Sequence, residues 1–158
     1  MKATVYLDTT IPSFYFETRE DSESVYKRSV TVDWWDNERY NYQLFVSEWV
    51  RGELSEGNYP NKQEVVKLIE EVLSLKISDE IADIVDVYLK HKLMPQNDIG
   101  DAFHLAFASF YKMDYLLTWN CNHLANANKQ RQISIINAKI NLCTPRIITP
   151  ELLFRERK

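Results

Sequence analysis

The chain has 158 residues, of which 45% are hydrophobic and 13% aromatic, and it carries a formal net charge of −4. This size and composition predict one globular domain over residues 1–158 and exclude a disordered tail. Only three glycines and five prolines are present, which excludes collagen-like and low-complexity classes. The acidic balance excludes a protein that coats nucleic acid with a broad basic face, but it leaves open an enzyme that contacts phosphate through a metal ion.

The cysteine content and the apolar runs predict a cytoplasmic protein without a membrane anchor. Cys121 and Cys143 are too few for a disulfide framework and form no CxxC pair. The stretch MKATVYLDTT lacks the apolar segment of a signal peptide, so we expect no secretion. No apolar run approaches the ~18–20 residues that span a bilayer.

The first part of the chain alternates short apolar segments with helical patterns. Residues 3–7 are apolar at nearly every position, which predicts a strand covered on both faces, and a polar loop with a Pro break follows at 8–12. Spaced apolar residues predict a helix over 22–40. Residues 42–47 predict a second strand, and Ser47 is a good N-cap for a helix over 48–55.

The same alternation continues to the end of the chain. Residues 98–113 predict a buried central helix, because their apolar side chains lie all round the helical wheel. The other predicted elements are helices at 62–73, from Ser78 onward, at 125–142 and from 149, strands at 73–77, 115–118 and 146–148, and a fraying charged end at 155–158. Alternating strands and helices with long crossovers predict a three-layer α/β/α fold with a central, mostly parallel sheet of four to five strands.

Polar residues follow the predicted strands at the edge where open α/β folds bind their ligands. Asp101 lies three residues after Asp98, so the two carboxylates share one helix face. The candidates are Asp8, Ser47, Glu48, Glu53, Asp98, Asp101, Thr118 and Asn120. Carboxylates that cluster raise one another's pKa unless a cation lies among them, and oxygen-rich sites suit Mg²⁺ or Mn²⁺. Such a metal would activate water and stabilise a phosphate during in-line displacement.

Each candidate also has a structural interpretation. Asp98 is a natural N-cap, and Glu53 taken alone is typical of a solvent-facing helix position. A functional role is favoured for Asp8, which directly follows an apolar strand, and for Asp101, which lies inside an apolar helix. His104 is more typical of a core residue or hydrogen-bond donor than of a ligand, and for His123 a catalytic and a structural role are about equally favoured.

Four motifs in order resemble a PIN domain over nearly the whole chain. They are Tyr6-Leu7-Asp8-Thr9-Thr10, Ser47 with Glu53-Leu54, Asp101-Ala102 with Leu105-Ala106, and Leu117-Thr118-Trp119-Asn120, with Ile148-Thr149-Pro150-Glu151 as a closing segment. PIN domains are metal-dependent nucleases, and many bacterial members are toxins of toxin–antitoxin modules. The resemblance therefore implies an endoribonuclease that uses Mg²⁺, or Mn²⁺, to hydrolyse RNA.

The resemblance also implies the site residues. Asp8, Glu53 and Asp101 match the first three acids of the family and would hold the metal. The fourth position, normally Asp, is Asn120, which brings no charge and cannot act as a base but can orient the metal or its water. The stretch from Trp119 to Asn126 looks like a subgroup of PIN-like proteins that carry Asn there.

The resemblance implies partners as well, and it leaves a second function open. An RNA substrate, a small and often basic antitoxin protein and a homodimer would be usual for this family. The presence of Asn at position 120 favours the alternative of a PIN-like module with a weakened site that binds RNA or protein. A phosphotransfer hydrolase of the haloacid-dehalogenase type would need Asp-x-Asp after the first strand, and Thr10 stands at that position.

Overall fold

The computed structural model describes residues 1–155, which contain five β-strands and seven α-helices. The strands are β1 (Thr4–Leu7), β2 (Gln43–Ser47), β3 (Leu73–Leu75), β4 (Tyr115–Leu117) and β5 (Arg146–Ile148). The helices are α1 (Thr10–Tyr15), α2 (Ser22–Glu38), α3 (Glu48–Ser55), α4 (Lys62–Leu68), α5 (Asp79–Lys90), α6 (Ile99–Phe110) and α7 (Ala127–Lys139). Of the charged end predicted at 155–158, all but Arg155 lies outside the described residues.

The five strands form one parallel sheet in the order β3-β2-β1-β4-β5. Tyr6 of β1 is aligned with Phe45 of β2 on one side and with Leu116 of β4 on the other. This confirms the predicted three-layer α/β/α fold with a parallel sheet. The chain runs from β1 outward to β3 and then returns to place β4 beside β1. The strand order therefore reverses between β1 and β4, which is where ligands bind in folds of this type.

The core is built around β1 and α6. Val5, Tyr6 and Leu7 have 0% exposure because helices cover both faces of the central strand. Every residue of α6 from Ala102 to Ser109 is buried, which confirms the prediction of a buried central helix. None of the helices within residues 1–155 is long and apolar enough to cross a membrane.

The predicted loop at 8–12 is wrong, because α1 begins at Thr10. Pro12 is the third residue of this helix. The first turn of a helix has no intrahelical partners for its N–H groups, so a residue that lacks an N–H is tolerated there. Proline therefore marks the start of a helix here rather than a break.

The helix predicted from residue 149 is only a single 3₁₀ turn, Pro150–Leu152. The carbonyl oxygen of Leu153 accepts hydrogen bonds from Trp34 Nε1 at 3.0 Å and from the Tyr42 hydroxyl at 3.2 Å. These bonds hold the backbone against α2 and the residue before β2, directly after the 3₁₀ turn. The end of the described chain is thus fixed by tertiary contacts.

Candidate functional site

β1 delivers Asp8 to the carboxyl edge of the sheet, beside the end of β4. Only 2% of this residue is exposed. Oδ1 accepts from the Thr10 backbone N–H at 3.0 Å and from Thr10 Oγ1 at 2.5 Å, and Oδ2 accepts from Thr118 Oγ1. A carboxylate has about four lone-pair sites, so these three bonds leave one on Oδ2 for a ligand.

Burial raises the pKa of Asp8, and the negative charge of Asp101 raises it further. The charge of His104 and the hydrogen bonds from Thr10 and Thr118 lower it, but they do not cancel the effect of burial. The ionised form of Asp8 is therefore destabilised by its surroundings and would gain from a cation nearby.

Glu53, on α3, meets a buried histidine. Its Oε1 accepts from Thr9 Oγ1 at 2.6 Å and lies 2.9 Å from Nε2 of His104. Burial alone would raise the pKa of Glu53, but the hydrogen bond and charge of His104, together with the hydrogen bond from Thr9, outweigh burial, so the pKa is lowered. Burial would likewise lower the pKa of His104, but Glu53, Asp8 and Asp101 together raise it. His104 thus lies in the field of all three predicted acids.

His104 is also connected to the core. It is 3% exposed, and its Nδ1 lies 2.8 Å from the Tyr6 hydroxyl. That hydroxyl lies 2.8 Å from Ser47 Oγ, which in turn accepts from the Val50 backbone N–H at 3.2 Å and so caps α3 as predicted. His104 is therefore both a core residue and a hydrogen-bonding partner of Glu53.

Asp101, in the first turn of α6, lies against the loop that follows β4. Its Oδ2 accepts from Asn120 Nδ2 at 2.8 Å and lies 3.1 Å from His123 Nδ1. Asp98 Oδ2 lies 3.5 Å from the same nitrogen of His123. Burial raises the pKa of Asp101, and Asp98 adds to this, although His123 and His104 oppose it.

The side-chain carbonyl of Asn120 is already used within its own loop. Oδ1 accepts from the backbone N–H groups of Asn122 at 3.1 Å and His123 at 3.0 Å. Backbone N–H groups can only donate, so they fix which end of the amide is the oxygen. Both lone pairs of this oxygen are taken, and Asn120 therefore orients Asp101 through its NH₂ group rather than presenting an oxygen to a metal.

The acids and histidines fall into neighbouring groups along the edge. Among residues 1–155, the His, Cys, Asp and Glu residues whose ligand atoms all lie within 4.8 Å of one another are Asp98, Asp101 and His123. Asp8 and Glu53 are outside this group. Asp8 connects to it through Thr118, whose Oγ1 donates to Asp8 and accepts from the Asn120 backbone N–H at 2.9 Å. The assignment of Asp8, Glu53 and Asp101 as joint metal ligands therefore remains a prediction.

The donor chemistry of this edge fits a divalent cation. Asp8 keeps one lone pair, and Asp101 Oδ1 accepts no hydrogen bond from the described part of the chain. Burial destabilises the ionised form of both carboxyls and raises the pKa of each, and a cation nearby would offset this effect. Carboxylate oxygens suit Mg²⁺ and Mn²⁺.

Comparison with solved structures finds a similar chain in the crystal structure of VapBC2 from Rickettsia felis bound to a DNA fragment from their promoter. The match covers 92% of this chain and 96% of that chain, with 13% sequence identity and a TM-score of 0.48. No protein-family model and no curated protein matches the sequence.

Sequence reasoning missed three residues that shape the site. Thr9 and Thr10 lie in the predicted loop, whereas Thr9 is the N-cap of α1, Thr10 begins the helix, and the two bind Glu53 and Asp8. The sequence patterns place Tyr6 in an apolar strand and in the PIN-like motif, but they indicate no role for its hydroxyl. A tyrosine in a strand covered on both faces needs a partner for its hydroxyl, and that need was the available signal.

Proposed function

We propose that the protein is a PIN-type, metal-dependent endoribonuclease, the toxin of a type II toxin–antitoxin module acting in the cytoplasm. The observation that carries the proposal is the position of Asp8, a 2%-exposed carboxyl with a raised pKa at the point where the strand order reverses. Asp101 lies close enough to raise that pKa further. A buried acid with a raised pKa in a substrate crevice is typical of a site for a cation and a phosphate.

Asp8, Glu53 and Asp101 would hold Mg²⁺ or Mn²⁺, which when bound supplies an activated water and charge stabilisation for the phosphate. The other polar residues orient these acids. Thr10 and Thr118 orient Asp8, and Asn120 and His123 orient Asp101. These bonds leave Asp8 and Asp101 with free lone pairs at the same edge, where the RNA backbone would lie.

The partners follow from this function and from the charge of the chain. The substrate would be single-stranded or structured RNA. The net charge of −4 suits a small basic antitoxin, because opposite charges speed and orient association. The protein would also form a homodimer.

RNA cleavage tests the assignment. The purified chain is incubated with several single-stranded and structured RNAs in Mg²⁺, in Mn²⁺ and in EDTA, and cleavage is followed on gels. We expect cleavage only with metal, and a loss of about a hundredfold or more in Asp8→Asn and Asp101→Asn, since each removes charge from the reacting centre.

The matched control is Asp83→Asn, which makes the same charge change at an exposed position of α5. Equal cleavage by all four proteins would point to a contaminating nuclease and overturn the assigned site. A wild-type chain that binds RNA but cleaves none of it under either metal would favour the binding module suggested by Asn120.

A further inference from the structure

We propose that Tyr6 and His104 are positioning residues that set the orientation of the Glu53 carboxylate from inside the core. The inference rests on the proposed function only in taking Glu53 as a metal ligand. A hydrogen-bonded chain runs from Ser47 Oγ through the Tyr6 hydroxyl to His104 Nδ1, with 2.8 Å at each step, and His104 Nε2 then meets Glu53 Oε1 at 2.9 Å.

With His104 neutral, one order of donors satisfies every group in this chain. Ser47 Oγ accepts from the Val50 N–H, so its own proton is free for Tyr6. The Tyr6 hydroxyl then donates to His104 Nδ1, and the proton on Nε2 of His104 points to Glu53. In this order every donor has an acceptor, and the ring is held in the tautomer that donates to the carboxylate.

The chain matters because it holds the Glu53 carboxylate from the core, whereas the other hydrogen bond to Oε1, from Thr9 Oγ1 at 2.6 Å, comes from the residue before α1. The Glu53 side chain is 36% exposed and extends from α3, a helix of eight residues. An exposed glutamate samples several rotamers, and ordering it costs conformational entropy. Tyr6 and His104 are 0% and 3% exposed, so they connect this partly exposed carboxylate to the buried centre of the molecule.

Packing keeps the two residues themselves in place. The ring of Tyr6 is stacked on Phe107 with centroids 6.3 Å apart and an interplanar angle of 12°, and its centroid lies 5.8 Å from that of His104. Tyr6 belongs to β1, whereas His104 and Phe107 belong to α6. The orientation of Glu53 on α3 is thereby linked to the sheet and to the central helix.

The experiment compares Tyr6→Phe with Tyr88→Phe. Each substitution removes one hydroxyl from a tyrosine with 0% exposure: Tyr6→Phe loses the bonds to Ser47 Oγ and His104 Nδ1, both 2.8 Å long, and Tyr88→Phe loses the 2.7 Å bond to Asn137. A merely structural role predicts the same behaviour for both. Two readouts on the full chain separate them: the carboxyl ¹³C signal of Glu53 without metal, and the affinity for Mn²⁺ measured by calorimetry.

We expect Tyr6→Phe to move the Glu53 carboxyl signal toward that of an exposed glutamate and to weaken Mn²⁺ binding about tenfold, the usual effect of losing a partner behind a metal ligand. Tyr88→Phe should change neither. His104→Leu should resemble or exceed Tyr6→Phe, whereas His104→Gln should restore part of the affinity because its amide keeps an N–H donor near Glu53.

The two hypotheses fail separately. If the wild-type chain binds no Mn²⁺ and cleaves no RNA, the proposed function fails, but the carboxyl signal still decides whether Tyr6 and His104 orient Glu53. If Tyr6→Phe and Tyr88→Phe leave the Glu53 signal equally unchanged, the positioning role is overturned even in an active nuclease.

Discussion

Asn120 donates to Asp101 from 2.8 Å, at a position where the resembling family normally has Asp. A carboxylate at position 120 would face the carboxylate of Asp101 at hydrogen-bond distance, with no proton between them. The amide therefore avoids repulsion between two carboxylates when no cation is bound. It also removes a carboxylate that could have bound a metal.

The substitution Asn120→Asp tests this balance. In EDTA we expect it to lower the free energy of unfolding by about 1–3 kcal/mol, because a hydrogen bond becomes a contact between like charges. Affinity for Mg²⁺ should be equal or higher, so added metal should restore the loss. Thermal unfolding with and without metal measures both effects.

Asn122→Asp is the control for Asn120→Asp, since this exposed neighbour contributes its backbone N–H to the loop while its side chain points to solvent. It should show little metal-dependent change in stability. Weaker Mg²⁺ binding by Asn120→Asp would show that the amide has a role of its own.

At the scale of elements, α3 and α6 approach each other closely at Gly100. A Cβ at this position would lie 3.0 Å from Glu53 Oε2 and 3.5 Å from Trp49 Nε1. The Trp49 ring is held there by stacking on Phe103, with centroids 3.8 Å apart. The absence of a side chain at Gly100 thus makes room for the carboxylate of Glu53.

Gly100→Ala should separate stability from activity. Alanine favours helix over glycine by about 0.5–1 kcal/mol, so folding should be unchanged or slightly improved. The added methyl should displace Glu53 by a few tenths of an ångström and reduce cleavage several-fold. Unfolding midpoints and cleavage rates on the same preparations measure the two quantities.

Gly52→Ala is the matched control. Gly52 lies on α3, the same helix as Glu53, and a Cβ there would meet no atom within 4 Å. It should raise stability by a similar amount and leave cleavage unchanged. Equal cleavage by the two alanine variants would contradict the steric role of Gly100.

At the scale of the whole molecule, a second buried polar network lies away from the site. The Tyr88 hydroxyl on α5 donates to Asn137 Oδ1 on α7, and Asn137 Nδ2 donates to Ser109 Oγ on α6 at 3.0 Å. Burial raises the pKa of Tyr88 to about 12, although the hydrogen bonds oppose this. The network joins three helices through one protonated hydroxyl.

This predicts a loss of stability in alkali. Below the unfolded pKa near 10 the stabilisation is fully present, and it falls as pH rises toward the folded pKa of about 12. Two pKa units correspond to about 2.7 kcal/mol. Denaturant unfolding at pH values between 9 and 12 should show a steeper decline for the wild type than for Tyr88→Phe, and equal slopes would contradict the burial of this hydroxyl in the folded state.

Local patterns in the sequence were sufficient for the architecture. Residues 3–7 showed a doubly covered strand, residues 98–113 showed a buried helix, and the alternation of elements gave a parallel sheet, all of which the structure confirms. They succeeded because hydrophobic periodicity and caps act over a few residues. Pro12 misled the prediction, because proline breaks a helix in its interior but not in its first turn.

The sequence by itself determined the fold class, and it predicted which acids belong to the site. Only the tertiary structure decided what those acids touch: His104 beside Glu53, Asn120 turned to Asp101, and Tyr6 behind His104. The physical reason is distance along the chain. Tyr6 and His104 are 98 residues apart, and such a contact depends on strand order and side-chain packing, which no local pattern encodes.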